Sequence, residues 1–256
     1  MVRLAVLSDI HMRPDHAEAI EAALERVCDH LESTVHPDRV ICLGDLIQHQ
    51  DGDPATDERM LERVRETLAE LSCPVTYLLG NHDVENLDRA TIGTILGQRR
   101  FHGTATVDDV PLVFLDTSWA SVAGARGILG GPQLEWLATE LPAMDRTLVF
   151  AHHPIGFFDL AGNPWFESFP ERAYFGDRRE FLTLVRDHCD VRATLSGHIH
   201  ATERVDFWDI PHCSIGAFSK SRPDVPLSGT YAVVSVEESI SVAVRTVEEV
   251  LARFVC

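Results

Sequence analysis

Five short elements spread over most of the chain carry side chains able to hold metal ions: Asp9-x-His11, Gly44-Asp45, Gly80-Asn81-His82-Asp83, His152-His153-Pro154 and Gly197-His198-x-His200. Asp9, His11, Asp45, Asn81, His152, His198 and His200 offer carboxylate oxygen, amide oxygen and imidazole nitrogen, with no thiolate among them. That mixture suits Mn²⁺, Fe or Zn²⁺ and fits a structural zinc site poorly. More than four donors points to two ions. A pair about 3.5 to 4 Å apart clamps a phosphoryl group and lowers the pKa of a shared water until it is hydroxide near neutral pH. The predicted chemistry is in-line hydrolysis of a phosphate ester by a metal-bridging hydroxide. It needs no covalent nucleophile, in keeping with a sequence that lacks a Gly-x-Ser-x-Gly signature.

Taken singly, each residue has an ordinary reading, since Asp after Gly is most often a turn former. The elements that must position them supply the stronger one. Residues 2–8 form a brief apolar run rich in branched side chains, a buried strand that delivers Asp9 and His11. Runs at 39–43, 75–79, 112–116, 148–151 and 191–195 read as five further strands, four of which deliver Asp45, Asn81, His152 and His198 in turn. Between them Ala19, Ile20, Ala23, Leu24, Val27 and Leu31 recur at helical spacing over residues 15–34; residues 57–71 form a second helix and a third starts near Pro132. This alternation predicts parallel strands with helices packed outside. Loops at the carboxyl ends of such strands converge on one crevice. After His200 the pattern changes to extended segments at 203–208, 212–215, 231–236 and 240–246, predicting a second, largely antiparallel sheet. With no repeat or linker, residues 1–256 read as a single domain.

The ordered set, from Asp9 to His200, resembles the calcineurin-like metallophosphoesterase superfamily, most of all its small phosphodiesterase-type members. The resemblance implies an α/β fold, a four-layer αββα sandwich of two mixed β-sheets flanked by helices, with the metal site at the carboxyl ends of the strands. It also implies that Asp9, His11 and His200 hold one metal, that Asn81, His152 and His198 hold the other, and that Asp45 bridges them. His82 would contact the substrate phosphate, stabilising charge or protonating the leaving oxygen, and Asp83 would orient its ring. His153 either supports the ligands from behind or is structural. His49 follows Asp45 closely enough to approach the site, although a structural role is the preferred reading. His16, His30, His36, His102 and His188 read as surface or core residues. Gln48 stands where purple acid phosphatases carry a tyrosine, so no tyrosinate–iron centre is implied. Ile47-Gln48-His49-Gln50 also departs from the Asp and Gly continuation of many cyclic-nucleotide phosphodiesterases.

The expected substrate is a small phosphate ester. A diester, a cyclic nucleotide or a glycerophosphodiester, is preferred over a monoester because of the resemblance to small phosphodiesterases. A noncatalytic scaffold of the same fold would show eroded ligands and a replaced His82, and all are intact. Zinc-dependent hydrolysis of a nonphosphate bond would not need Asn81 and His82 together. A formal charge of −18, from 22 Lys and Arg against 40 Asp and Glu, argues against nucleic acid as a partner. Lys220 is the only lysine; such a surface fits a salty, halophilic cytosol, and high genomic GC content would also favour arginine. No stretch approaches the roughly 20 apolar residues of a membrane span, and the apolar run at residues 1–7 is too short for a signal-peptide core. A soluble, cytoplasmic protein is expected. The cysteines at 28, 42, 73, 189, 213 and 256 form no Cys-x-x-Cys pair, so reduced thiols are expected. Residues 154–176 are dense in aromatics: Phe157, Phe158, Trp165, Phe166, Phe169, Tyr174 and Phe175. They could wall the site around a leaving group. The preferred reading is a core plug or a subunit interface, which leaves a homo-oligomer open.

Overall fold

The computed structural model describes residues 1–119, 125–188 and 190–256; of the sequence readings, Cys189 and the side chain of His188 lie outside the described residues. In chain order the strands are β1 (Val2–Leu7), β2 (Arg39–Cys42), β3 (Val75–Tyr77), β4 (Gly103–Val107), β5 (Val110–Leu115), β6 (Thr147–Ala151) and β7 (Val191–Ser196). They continue as β8 (Glu203–Phe207), β9 (Ile210–Ser214), β10 (Ser219–Arg222), β11 (Val225–Leu227), β12 (Tyr231–Val236), β13 (Ile240–Arg245) and β14 (Val250–Val255). The helices are α1 (Ala17–His30), α2 (Pro54–Leu68), α3 (Arg89–Leu96), α4 (Gly131–Glu140) and α5 (Arg178–His188). Two six-stranded mixed sheets run β14-β13-β12-β1-β2-β3 and β4-β5-β6-β7-β9-β8, and β10-β11 form a separate hairpin.

The layering follows from side-chain alternation along each strand. Ala5, Leu7, Val40 and Cys42 face a core built with Ile20, Leu24 and Val27 of α1, Leu61 and Val64 of α2, and Ile92 of α3. Their neighbours Leu4, Val6 and Ile41 turn the other way and meet Phe114, Leu148, Phe150 and Leu195 of the second sheet. On that sheet's far side Val113, Val149 and Ala151 pack under Leu137 of α4 and Phe181 and Val185 of α5. Both sheets are therefore covered on both faces, which explains the near-continuous apolar runs of β1, β2, β6 and β7. Each of these buried Leu, Ile, Val or Phe side chains contributes about 1.5–3 kcal/mol.

Helix limits follow local chemistry. Asp53 accepts a hydrogen bond from Thr56 N and Pro54 occupies the first turn, so α2 starts ahead of the expected residue 57. Asp88 caps α3 and left-handed Gly97 ends it, a signature present in the sequence though the helix itself was not expected. The segments after His200 do not form a sheet of their own. β8 and β9 extend the second sheet beyond β7, and β12 to β14 extend the first beyond β1. Period-two alternation identifies a strand but not its partner, and β1 and β7 each present an edge that would otherwise be open. Pairing of Val2 with Val236 through Val6 with Ala232 closes the first. Cys28, Cys42, Cys73, Cys213 and Cys256 are free thiols. No helix among the described residues is long and apolar enough to cross a membrane.

Candidate metal centre

The parallel strands β1, β2, β3, β6 and β7 end on one side, and the seven ligand candidates stand just past those ends. Backbone bonds lock the loops together: Asp9 N donates to Gly44 O (3.1 Å), His11 N to Asp45 O (2.9 Å) and Gly197 N to His152 O (2.9 Å). Asp9, His11, Asp45, His198 and His200 all have left-handed backbones, with φ of 53°, 47°, 48°, 69° and 57°. A non-glycine residue held there costs about 1–2 kcal/mol, and such strain persists where surrounding structure enforces it. Close approach is enforced too: a Cβ on Gly80 would strike the backbone nitrogen and carboxylate of Asp45. Gly80→Ala is therefore expected to lose about 1–3 kcal/mol of stability and to displace the Asp45 carboxylate. Calorimetry and metal analysis check this; unchanged melting and unchanged metal content would show that the contact yields.

The side chains form two groups with Asp45 between them. Asp9 Oδ1 lies 3.4 Å from His200 Nε2, and His11 Nε2 lies 3.1 Å from the same atom. His152 Nε2 lies 3.3 Å from Asn81 Oδ1 and 3.1 Å from His198 Nδ1. Asp45 Oδ2 is 3.8 Å from His11 Nε2 and 3.5 Å from His152 Nε2. Asp9 and Asp45 are 0% and 2% exposed. Burial pushes both carboxyls up, but the surrounding imidazoles, His200 foremost for Asp9 and His152 for Asp45, outweigh it and hold both well below the usual range.

Three rings have their tautomers set from behind. His200 Nδ1 donates to Lys220 O (2.7 Å), His152 Nδ1 to Leu43 O (3.1 Å) and His198 Nε2 to Arg172 O (3.0 Å). A carbonyl can only accept, so on a neutral ring the other nitrogen is a lone pair aimed into the site. Lone pairs and buried carboxylates then face one another at 3 to 4 Å, an arrangement that a protein interior tolerates when a cation sits among them. Burial, and then His152, push His198 down to about 3, whereas His152, lowered by burial but raised more by Asp45, stands at about 9 and carries the positive charge that a metal would replace. Among the described residues four overlapping groups have metal-holding geometry: Asp9, His11 and His200; Asp9, Asp45 and His152; His11, Asp45 and His82; and His152, His153 and His198. The donor set fits divalent metal.

Comparison with known proteins decides the family: the model of the calcineurin-like phosphoesterases matches residues 2–202. The chain belongs to that family. A probable cyclic nucleotide phosphodiesterase of Rhodococcus erythropolis is 29% identical over 218 residues, covering 81% of this chain and 68% of that protein. A cAMP/cGMP dual specificity phosphodiesterase of Mycobacterium tuberculosis is 30% identical over 190 residues, 70% of this chain and 54% of the mycobacterial protein, so the match spans little more than half of that relative. The crystal structure of a dimetal phosphatase from Danio rerio has the same fold, with a TM-score of 0.78 and 15% identity over 99% of this chain and 98% of that one.

Around the metal centre of this calcineurin-like phosphoesterase, several side chains take places that the sequence did not indicate. Asp83 does not orient the His82 ring. Its buried oxygens accept from Ile47 N (3.1 Å) and Gly80 N (2.8 Å), tying the loops after β2 and β3, while burial and then the Asp45 charge raise its carboxyl to about 7. The His82 ring is held instead by Gln48 Nε2 and His49 Nδ1, both 2.8 Å from its Nδ1. His49 stacks on it with centroids 4.8 Å apart, so this histidine belongs to the site rather than to the structural set. His153 packs 4.3 Å from the His198 ring, yet both its nitrogens are engaged, by Thr117 Oγ1 (2.8 Å) and Ala125 O (2.9 Å). It supports the phosphoesterase site without a free donor atom. His16, His30 and His102 are engaged elsewhere, with Asp15, Tyr231 and Trp136, and His36 is the left-handed residue that ends the helical turn after α1.

The aromatic segment divides between the two roles weighed for it. Trp165 and Phe166 border the site cavity, at 5.5 Å from the His200 ring and 4.7 Å from the His198 ring. Phe158 and Phe166 join a small core of their own, Phe175 enters the core under α5, and Phe157 stays 51% exposed. Lys220, from the β10-β11 hairpin, completes the cavity rim. Its standing as the chain's only lysine was the one signal in the sequence that could have drawn attention to it.

Proposed function

We propose that this phosphoesterase hydrolyses phosphodiesters, cyclic nucleotides or glycerophosphodiesters, with one ion held by Asp9, His11 and His200, a second by Asn81, His152 and His198, and Asp45 shared. Mn, Fe and Zn suit the donors. The observation that carries the proposal is the Asp45 carboxylate set between His11 and His152, with the Nε2 atoms of His200 and His152 directed inward because their Nδ1 atoms are bonded to carbonyls behind them. Metal bound by these residues would supply Lewis acidity toward phosphoryl oxygens and would lower the pKa of a coordinated water toward neutrality.

The chain's own groups supply the rest. The ammonium of Lys220 can only donate, so Gln48 Oε1 must face it at 2.6 Å, and the Gln48 amide NH₂ is turned toward His82 Nδ1. Nδ1 of His82 is then an acceptor and the ring N–H sits on Nε2, where it can donate a hydrogen bond to a phosphoryl or leaving oxygen and stabilise the charge that develops there. The cavity, about 80 Å³ and lined by His11, Asp45, Asn81, His82, His198 and His200 among others, admits little more than the phosphoryl group. Trp165 and Phe166 line one side of it. An adjoining open cleft of about 420 Å³, reached past His200 and Ile199, has room for the organic part of an ester. Relatives at about 30% identity named as cyclic nucleotide phosphodiesterases support the diester reading despite the departure at residues 47–50. A single catalytic domain and a cytoplasmic setting with reduced thiols belong to the same proposal.

The test is hydrolysis of bis-p-nitrophenyl phosphate against p-nitrophenyl phosphate after chelation and readdition of Mn²⁺, Zn²⁺ or Fe²⁺, at low and high salt. Metal-restored preference for the diester is the expected result. Preference for the monoester would make the protein a phosphatase. No activity with any metal, in protein shown to be folded, would leave a noncatalytic scaffold of the same fold.

A further inference from the structure

Lys220 stands out by what it lacks. The chain has 40 Asp and Glu, yet no carboxylate lies within 4.0 Å of Lys220 Nζ among the described residues. Its one hydrogen-bond acceptor is neutral, the side-chain oxygen of Gln48 at 2.6 Å. The ammonium also lies 5.6 Å from the centroid of Trp165, on the rim of the cavity that Asp45, Asn81 and His82 line. In a protein of net charge −18, a half-buried cation with no carboxylate in direct contact, at the mouth of the metal centre and acted on by Asp45 and Asp15 only at longer range, is a place for an anion.

The backbone holds it there. The hairpin approach is pinned to the first ligand loop by Phe218 N to Ser8 O (2.8 Å), Ser219 N to Asp9 O (3.1 Å) and Ser219 Oγ to Ile10 O (2.7 Å). Lys220 itself is left-handed, φ 53°, and its carbonyl receives the His200 Nδ1 proton. One residue thus sets a metal-ligand tautomer through its carbonyl and presents a positive charge through its side chain.

Resting on the function proposed above, we infer that Lys220 is the residue that holds the substrate's phosphoryl group from outside the metals, its ammonium donating a hydrogen bond to a nonbridging oxygen. Gln48 parks the ammonium when no anion is bound. The acidic surface repels anionic esters at a distance, so a local cation is what draws the phosphate into the cavity. No bond is made or broken at Lys220, which acts by position and charge.

Because the chain has a single lysine, an amine-acylating reagent reports on it directly. The full metal-loaded protein is labelled with and without inorganic phosphate, and modification at Lys220 and at the Met1 amine is counted by peptide mass. Phosphate is expected to slow labelling of Lys220 about tenfold, the scale of a charge-assisted hydrogen bond, and to leave Met1 unchanged. Lys220→Gln can still bond Gln48 but carries no charge. It is expected to keep its metal content and lower kcat/KM about ten- to a hundredfold, mostly through KM, while Lys220→Arg retains most activity. Labelling that ignores phosphate, or a K220Q protein equal to the wild type, overturns the inference. Protection without hydrolysis of any ester keeps Lys220 as an anion site and removes the esterase reading; hydrolysis without protection does the reverse.

Discussion

Asp45→Asn is expected to bind fewer than two ions per chain and to lower kcat by about a thousandfold or more, the equivalent of several kcal/mol of charge stabilisation. The substitution isolates charge from shape. Asparagine tolerates the left-handed φ of 48° found at this position, and its side-chain oxygen can still accept from His82 N, as Asp45 Oδ1 does at 2.8 Å. What changes is Oδ2, the atom lying 3.8 Å from His11 Nε2 and 3.5 Å from His152 Nε2, which becomes an NH₂ that can donate but not coordinate. Both halves of the centre lose a donor, and the buried negative charge that offsets two cations is gone. Metal stoichiometry by mass spectrometry and turnover of a p-nitrophenyl ester measure this. A variant retaining two ions and activity within about tenfold of the wild type would mean that Asp45 is not shared.

His82→Ala is expected to keep both ions and lose about 10²- to 10³-fold in kcat, the range for removing one donor to the developing charge. The contrast is with Asn81→Ala, one residue away, which removes the oxygen 3.3 Å from His152 Nε2 and should deplete one ion. Geometry alone does not separate the two roles, because His82 also comes within metal-holding distance of His11 and Asp45. Hydrogen bonding does: Gln48 and His49 claim His82 Nδ1, whereas His152, His198 and His200 are each held by a backbone carbonyl from behind, which turns the other ring nitrogen into the site. Its backbone N–H bond to Asp45 survives in alanine, so that carboxylate keeps its support. Equal metal loss in both variants would place His82 among the ligands.

Much of the site was legible because its chemistry is local. Asp9, His11, Asp45, Asn81, His152, His198 and His200 each follow an apolar run, and strand ends on a parallel sheet share one crevice. The alternation of Leu4 and Val6 with Ala5 and Leu7 already implies two buried faces, one for helices and one for a second sheet. The strands β4, β10, β11 and β14 were not legible: β10 reads Ser-Lys-Ser-Arg, with no apolar period, and β14 is an edge strand whose Val250, Leu251 and Val255 are exposed.

The sequence by itself determined the strand and helix rhythm, the identity and order of the donors, and the absence of any nucleophile signature, since all of these are properties of residue type and near-neighbour spacing. Only the tertiary structure decided that β12 rather than a new sheet completes β1, that Asp83 bonds two amides instead of the His82 ring, that His49 stacks on His82, and that Lys220 meets Gln48 from 172 residues away. Those outcomes depend on which hydrogen-bond donor reaches which acceptor once distant segments are packed. No periodicity carries that information, because hydrogen-bond direction and backbone handedness are settled by the neighbours that folding brings together.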